Sequence, residues 1–234
     1  MKTLSYVPVI HTSADLGSMA KDVDKRGAAH LGEDHWNKYR KTVEGFWDAM
    51  LHYFDSVDVS GVKIYQDGMM IGGEIGQKIV AEGVKAGSKN YEIVARLLQK
   101  GAVLVKTEDF KLVKEERDRV LAIIQAKSMP KKLCALIKYK LVKNRLLDKR
   151  DEFIAQRINE TLQNNEKGII FIGAFHNIKK RLARDIQIKE IKDVQKMNEY
   201  QRLLPFYRKH RARFEELGRY LVSEVKGKGA DGNL

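Results

Sequence analysis

Apolar positions along the chain follow two different periods. Four short segments, 6–12, 62–66, 102–106 and 169–173, are dense in β-branched residues and give way at once to polar or glycine positions, as strands buried on both faces of a parallel sheet do. A fifth, 186–192, sets Ile186, Ile188 and Ile191 among charges, the pattern of an edge strand. Between the strands the period lengthens. Over 36–54, Tyr39, Val43, Phe46, Trp47, Met50 and Phe54 recur at steps of three and four, which makes one apolar stripe on a helix. Segments 75–84 and 91–98 repeat that pattern, with Ser88 placed to cap the second. A further helix is predicted over 112–125, ended by Ser128, Met129 and Pro130. Most of 133–164 reads as helical, with Asp148 able to cap a second segment that begins near Arg150. The stretch 194–225 is predicted helical with a bend near Pro205.

Strands alternating with helices predict an α/β fold: a largely parallel sheet of about five strands flanked by helices, with a helical C-terminal region. The expected organisation is one domain over 1–225 followed by a disordered tail, 226–234, which has nothing to bury. Periodicity does not give the strand order.

Charge adds a field to this outline. The 234 residues carry 44 Lys and Arg against 31 Asp and Glu, a net +13, with the excess in the second half, densest over 127–150, 179–184 and 208–213. Such a field attracts anions without choosing among them. Solvated helix faces account for it; nucleic acid is a weaker reading, because stacking aromatics and a compact basic motif are both missing. The longest apolar runs, such as 169–172, are too short to span a bilayer, and the first residues lack the long apolar segment of a secretory signal. No membrane association is expected. The single cysteine, Cys134, is expected in a helix core and fits a reducing, cytoplasmic setting.

In open α/β sheets ligands gather where the strands end at their carboxyl side. Here the first strand hands off to His11-Thr12-Ser13, the second to Asp67-Gly68, the third to Lys106-Thr107-Glu108-Asp109, and the fourth to His176-Asn177. Two imidazoles and a carboxylate on one rim could hold a divalent metal, through His11, His176 and Glu108, or act as general acid and base near neutral pH. Each residue also has a plain structural reading. Asp67-Gly68 is a common turn pair, Glu108 or Asp109 could cap the following helix, His176 could cap or bond a carbonyl, and Arg150-Asp151 could be an exposed ion pair. Glu108 is preferred for the chemistry and Asp109 for the cap. His30 and His35, five apart, would not share a helical face, so 30–36 reads as a loop into a helix capped by Glu33 or Asp34. Gly72-Gly73-Glu74-Ile75-Gly76 has neither dinucleotide-loop spacing nor a phosphate-binding lysine.

The stretch Arg150-Asp151 to Ile158, followed after a short gap by Gly168 to His176, is similar in order to the TraB/TIKI, ChaN and erythromycin-esterase-like superfamily, in which an Arg-Asp helix start precedes a strand ending in Gly-x-x-His. Gly173-Ala174-Phe175-His176 fits the last motif, whereas Pro8-Val9-Ile10-His11 departs from the first. The resemblance covers about 27 residues. It implies histidines and acids at this crevice as metal ligands or acid/base groups, and carries over His176, Arg150 and Asp151. The resulting expectation is a hydrolase-like enzyme, with or without a divalent metal, acting on a small-molecule or peptide-like substrate. His11, Glu108, His176 and Asp151 would be catalytic, and Arg150 and Asp67 would bind substrate. The rivals are an anion- or nucleotide-binding sensor without turnover and a basic nucleic-acid-associated protein.

Overall fold

A computed structural model of the chain describes residues 1–12, 14–15 and 20–225. Ser13, which the sequence places after the first strand, and the expected tail 226–234 lie outside the described residues. Five parallel strands, β1 (Lys2–Val9), β2 (Lys63–Gln66), β3 (Val103–Val105), β4 (Lys167–Gly173) and β5 (Ile186–Glu190), form one sheet in the order β3-β2-β4-β1-β5. The α/β expectation holds, and the fifth strand is an edge strand as its alternation implies. The register pairs Val9 with Gly173 and Gln66 with Phe171, so three strands end at nearly one level.

Helices cover the two faces unequally. On one face, Val7, Val9, Ile64, Ile169 and Phe171 pack under α2 (Glu33–Asp55), α3 (Gly73–Lys85), α4 (Lys89–Gln99), α7 (Val194–Leu203) and α8 (Arg211–Val222). On the other face, Leu4, Tyr6, Tyr65, Ile170 and Ile172 meet Ile154, Ala155 and Ile158 of a single helix, α6 (Met129–Thr161). The period-two alternation of 169–172 thus splits one apolar run between two cores. Ahead of α2 lies α1 (Ala20–Leu31), and between β3 and α6 lies α5 (Phe110–Ile124). The bend expected near Pro205 is a short 3-10 turn, Leu204–Phe206.

The structure corrects four local expectations. β1 starts and ends earlier than 6–12, which leaves Ile10 and His11 beyond the strand. The residues before Glu33 are helical rather than a loop. Gly32, at φ 86°, breaks α1 from α2, and neither Glu33 nor Asp34 supplies a side-chain cap; only a glycine takes that conformation without strain. α6 runs unbroken through Arg150, because no Gly or Pro interrupts 131–161 and Asp148 pairs with Arg181 instead of capping. Cys134 is exposed, not core. The cause is length: 33 residues make a helix of about 50 Å, while a seven-residue strand spans about 23 Å. All the buried positions of α6 fall from Leu146 onward, and the half that carries Cys134 overruns the sheet. Among the described residues no helix is long and apolar enough to cross a membrane.

Candidate active site

Four short stretches bring the site together. β2 ends at Gln66; the Asp67 amide still donates to the Phe171 carbonyl (2.8 Å), and Gly68, at φ 79°, turns the chain away. Asp67-Gly68 is therefore a turn, and its aspartate side chain faces Arg150 and His176. β4 ends at Gly173, and the His176 amide donates to the Gly173 carbonyl (3.0 Å). That tight turn folds the imidazole back over the strand end. A Cβ on Gly173 would sit 3.3 Å from Asp67 Oδ2 and 3.4 Å from the His176 ring, and the Gly173 amide donates to Asp67 Oδ2 at 3.1 Å. Glycine is needed here for closeness, not for an unusual φ.

His176 is 9% exposed and lies between two aspartates. Its Nδ1 is 2.5 Å from Asp151 Oδ1, and its Nε2 is 3.4 Å from Asp67 Oδ2. Asp151 is held in turn by the Asn177 amide, which donates to Oδ2 at 2.8 Å. Burial alone would depress the imidazolium, but the Asp67 charge and the bonds to Asp151 and Asp67 outweigh it and raise the pKa to about 10. His176 is accordingly a cation at neutral pH, with an N–H toward each carboxylate. Asp67, pushed up by burial, is pulled further down by His176 and Arg150, and it stays ionised well below the usual carboxylate range.

Next to Asp151 on α6, Arg150 is enclosed by carboxylates. Its Nε donates to Glu108 Oε2 (3.2 Å) and its Nη2 to Asp67 Oδ1 (2.6 Å); Nη2 also reaches Glu108 Oε1, and Nη1 reaches Glu116. Tyr139 donates its hydroxyl to the other Glu116 oxygen at 3.0 Å. Glu108 is completely buried, and burial lifts its pKa to about 7 against the pull of Arg150. Asp109 caps α5, accepting from the Lys111 and Leu112 amides at 2.9 and 3.0 Å. Asp109 is thus the helix cap, as expected of it, while Glu108 is buried against Arg150. Asp151, His176, Asp67, Arg150, Glu108 and Glu116 thus form one continuous chain of ion pairs.

Above this chain opens a crevice of about 850 Å³, lined by His11, Asp67, Arg150 and His176 at its floor and rim and by Trp36 and Tyr39 on an apolar wall. His11 is exposed. Five of the six expected residues cluster tightly and His11 stands at the rim beside them, but their surroundings differ. Glu108 lies behind Arg150 rather than on the crevice wall. Arg150 uses Nε and both Nη atoms on carboxylates, so it positions Asp67 and does not offer a free fork to a substrate anion. Glu116 and Tyr139 were not anticipated; they sit on helices whose sequence reads as solvated, and only the packing of α5 on α6 brings them in. His30 and His35 do not join. His30 lies in the last turn of α1, and His35 packs tilted against Tyr207 with ring centroids 4.3 Å apart. A smaller cavity of about 260 Å³ near Tyr200 and Phe214 carries none of the strand-end residues.

The donor set expected for a metal does not fit one as it is held. Both ring nitrogens of His176 face carboxylates and both oxygens of the buried Glu108 are held by Arg150, so two of the three expected ligands are already engaged by other partners. Among the described residues no group of three His, Cys, Asp or Glu side chains is placed to hold a metal ion. No protein-family model, curated protein or solved structure matches this chain.

Proposed function

We propose that the crevice is the active site of a hydrolase-like enzyme that cleaves a small or peptide-like substrate by acid–base chemistry. One observation carries this reading: His176, a buried cation, lies between Asp67 and Asp151 at the floor of a large crevice beyond the strand ends. The two contacts are unequal. At 2.5 Å the Asp151 contact fixes the ring, while at 3.4 Å the Nε2 proton is only loosely held by Asp67 and can turn to a ligand. A substrate carbonyl oxygen seated there would be stabilised as it becomes an oxyanion. His11, at the rim, takes the proton from the attacking water and returns it to the leaving group. Arg150 keeps Asp67 ionised and in place. The cytoplasm as the compartment fits the exposed free thiol of Cys134.

A panel of esters, amides and phosphoesters tests this reading. Turnover should fall by about 10²-fold or more in His176→Gln and in His11→Gln, with no effect of chelators. Activity lost to chelation and restored by a divalent ion would put the metal version in its place. Stabilisation by nucleotides or phosphoesters without product would favour the sensor.

A further inference from the structure

The half of α6 that overruns the sheet differs from the rest of the surface. Met129, Leu133, Leu136, Ile137 and Leu141 recur at steps of three and four and are between 42% and 78% exposed. At 3.6 residues per turn this stripe lines up with Ile154 and Ile158, which lie on the sheet. It is the same apolar face, continued past the last residue the sheet can cover. Its flanks are basic. Lys131, Lys138 and Arg145 recur every seven residues on one side, Lys132 and Lys143 lie on the other, and Lys140 falls within the stripe itself. No Asp or Glu occurs from Arg119 to Leu147, and these six cations have no carboxylate partner among the described residues. The α5 helix packed alongside has no buried residue; it pairs Lys114 with Asp118 and Arg119 with Glu115 within itself, and its Glu116 is taken by Arg150 and Tyr139.

We infer that this arm docks on an anionic lipid surface, laying the Met129–Leu141 stripe into the bilayer interface with its lysines against the headgroups. Charge complementarity decides the partner. A second copy of the chain would bring two unpaired basic faces together. A protein interface centred on this stripe would place lysines where interfaces are depleted of them. Nucleic acid would satisfy the lysines but leave the leucines in water, and the one aromatic side chain in 129–147, Tyr139, is already bonded to Glu116. An anionic bilayer offers hydrocarbon and negative charge side by side along the whole arm, and it adapts to long, flexible lysine stems. Lying in the interface makes no demand for a membrane-crossing helix. It also departs from the sequence expectation of no membrane association, which weighed only spanning.

Sedimentation of the full chain with vesicles tests this, using phosphatidylcholine alone or containing about one-third phosphatidylserine at physiological salt. The protein should pellet with the anionic vesicles and not with the neutral ones. Leu133→Ser combined with Ile137→Ser should weaken partition by roughly tenfold, with an unchanged melting curve because both side chains are exposed. Leu133→Trp should show blue-shifted emission on addition of the anionic vesicles. Absence of pelleting, pelleting that ignores the serine pair, or emission that does not move would each overturn the proposal. So would a dimer that the serine pair dissociates, since the occupant would then be a second copy.

Discussion

The crevice floor and the arm above it are both crowded with charge, yet they handle it oppositely. On the floor, Arg150 meets Glu108, Asp67 and Glu116, and His176 meets Asp67 and Asp151, so each cation is closed in by acids and away from water. On the arm, six cations along α6 meet no acid among the described residues, and all but the half-buried Lys132 stand in solvent. Desolvation makes the difference. A buried charge without a partner costs several kcal/mol, so every member of the floor is obligatory once one is present. An exposed charge costs almost nothing, so the arm is free to keep a field for something outside the molecule.

The largest break in this contrast should come from Arg150→Met. It takes the guanidinium from three carboxylates and leaves the fully buried Glu108 without its ion-pair partner, and should cost about 3–5 kcal/mol in urea unfolding. Glu108→Gln added to Arg150→Met should recover part of that loss, because one stranded charge is gone; a strictly additive pair would show that the floor is not one network. Next is pH. His176 has its pKa raised from 6.5 to about 10, so its contribution is complete below pH 6.5 and is lost as pH rises toward 10. Glu108, raised from 4.5 to about 7, loses its contribution over that lower window in the same direction. Lys192, lowered by burial from 10.5 to about 8, works the opposite way at the alkaline end. The informative quantity is therefore the difference between the wild type and His176→Gln. Melting temperatures of the two should converge as pH climbs from about 6.5 to 10, and a constant gap would mean that the imidazole is neutral in the folded protein.

How much of this the sequence discloses follows from range. β4 is legible because Gly168 to Gly173 is apolar throughout, and the turn to His176 is legible because Gly173 breaks the run. Ser88 and Asp109 act as caps, as their local chemistry implies. Arg150-Asp151 reads as a helix start because Asp148 has capping chemistry, and only the distant Arg181 takes that option away. Glu116 is invisible for the same kind of reason: nothing near it in the chain marks which helix face meets α6. The rim residues could be named from strand ends. That Arg150 is saturated, and so positions rather than binds, depends on three acids 34 to 83 residues away.

A gentler perturbation of the floor is Gly173→Ala. The added Cβ sits a few tenths of an ångström too close to Asp67 and His176, and the cost should be about 1 kcal/mol in stability. If the crevice is catalytic, the loss of turnover should exceed that figure, since the displaced groups are the ones that meet substrate.

The smallest expected effect has the opposite sign and is the sharpest test of the contrast. Lys140 and Lys143 are three apart on α6, neighbours on one face, and both positive. Replacing an exposed lysine with a carboxylate turns that repulsion into an attraction, each worth about 0.2–0.5 kcal/mol. Lys140→Glu should therefore raise stability by roughly 0.5 kcal/mol, read as a small upward shift of the urea midpoint at low ionic strength that fades as salt is added. A charge reversal on the floor would unfold the protein, and the same change here should strengthen the helix. Destabilisation by Lys140→Glu would mean that the arm's cations are already engaged within the fold, and their availability to an outside partner would fall with it.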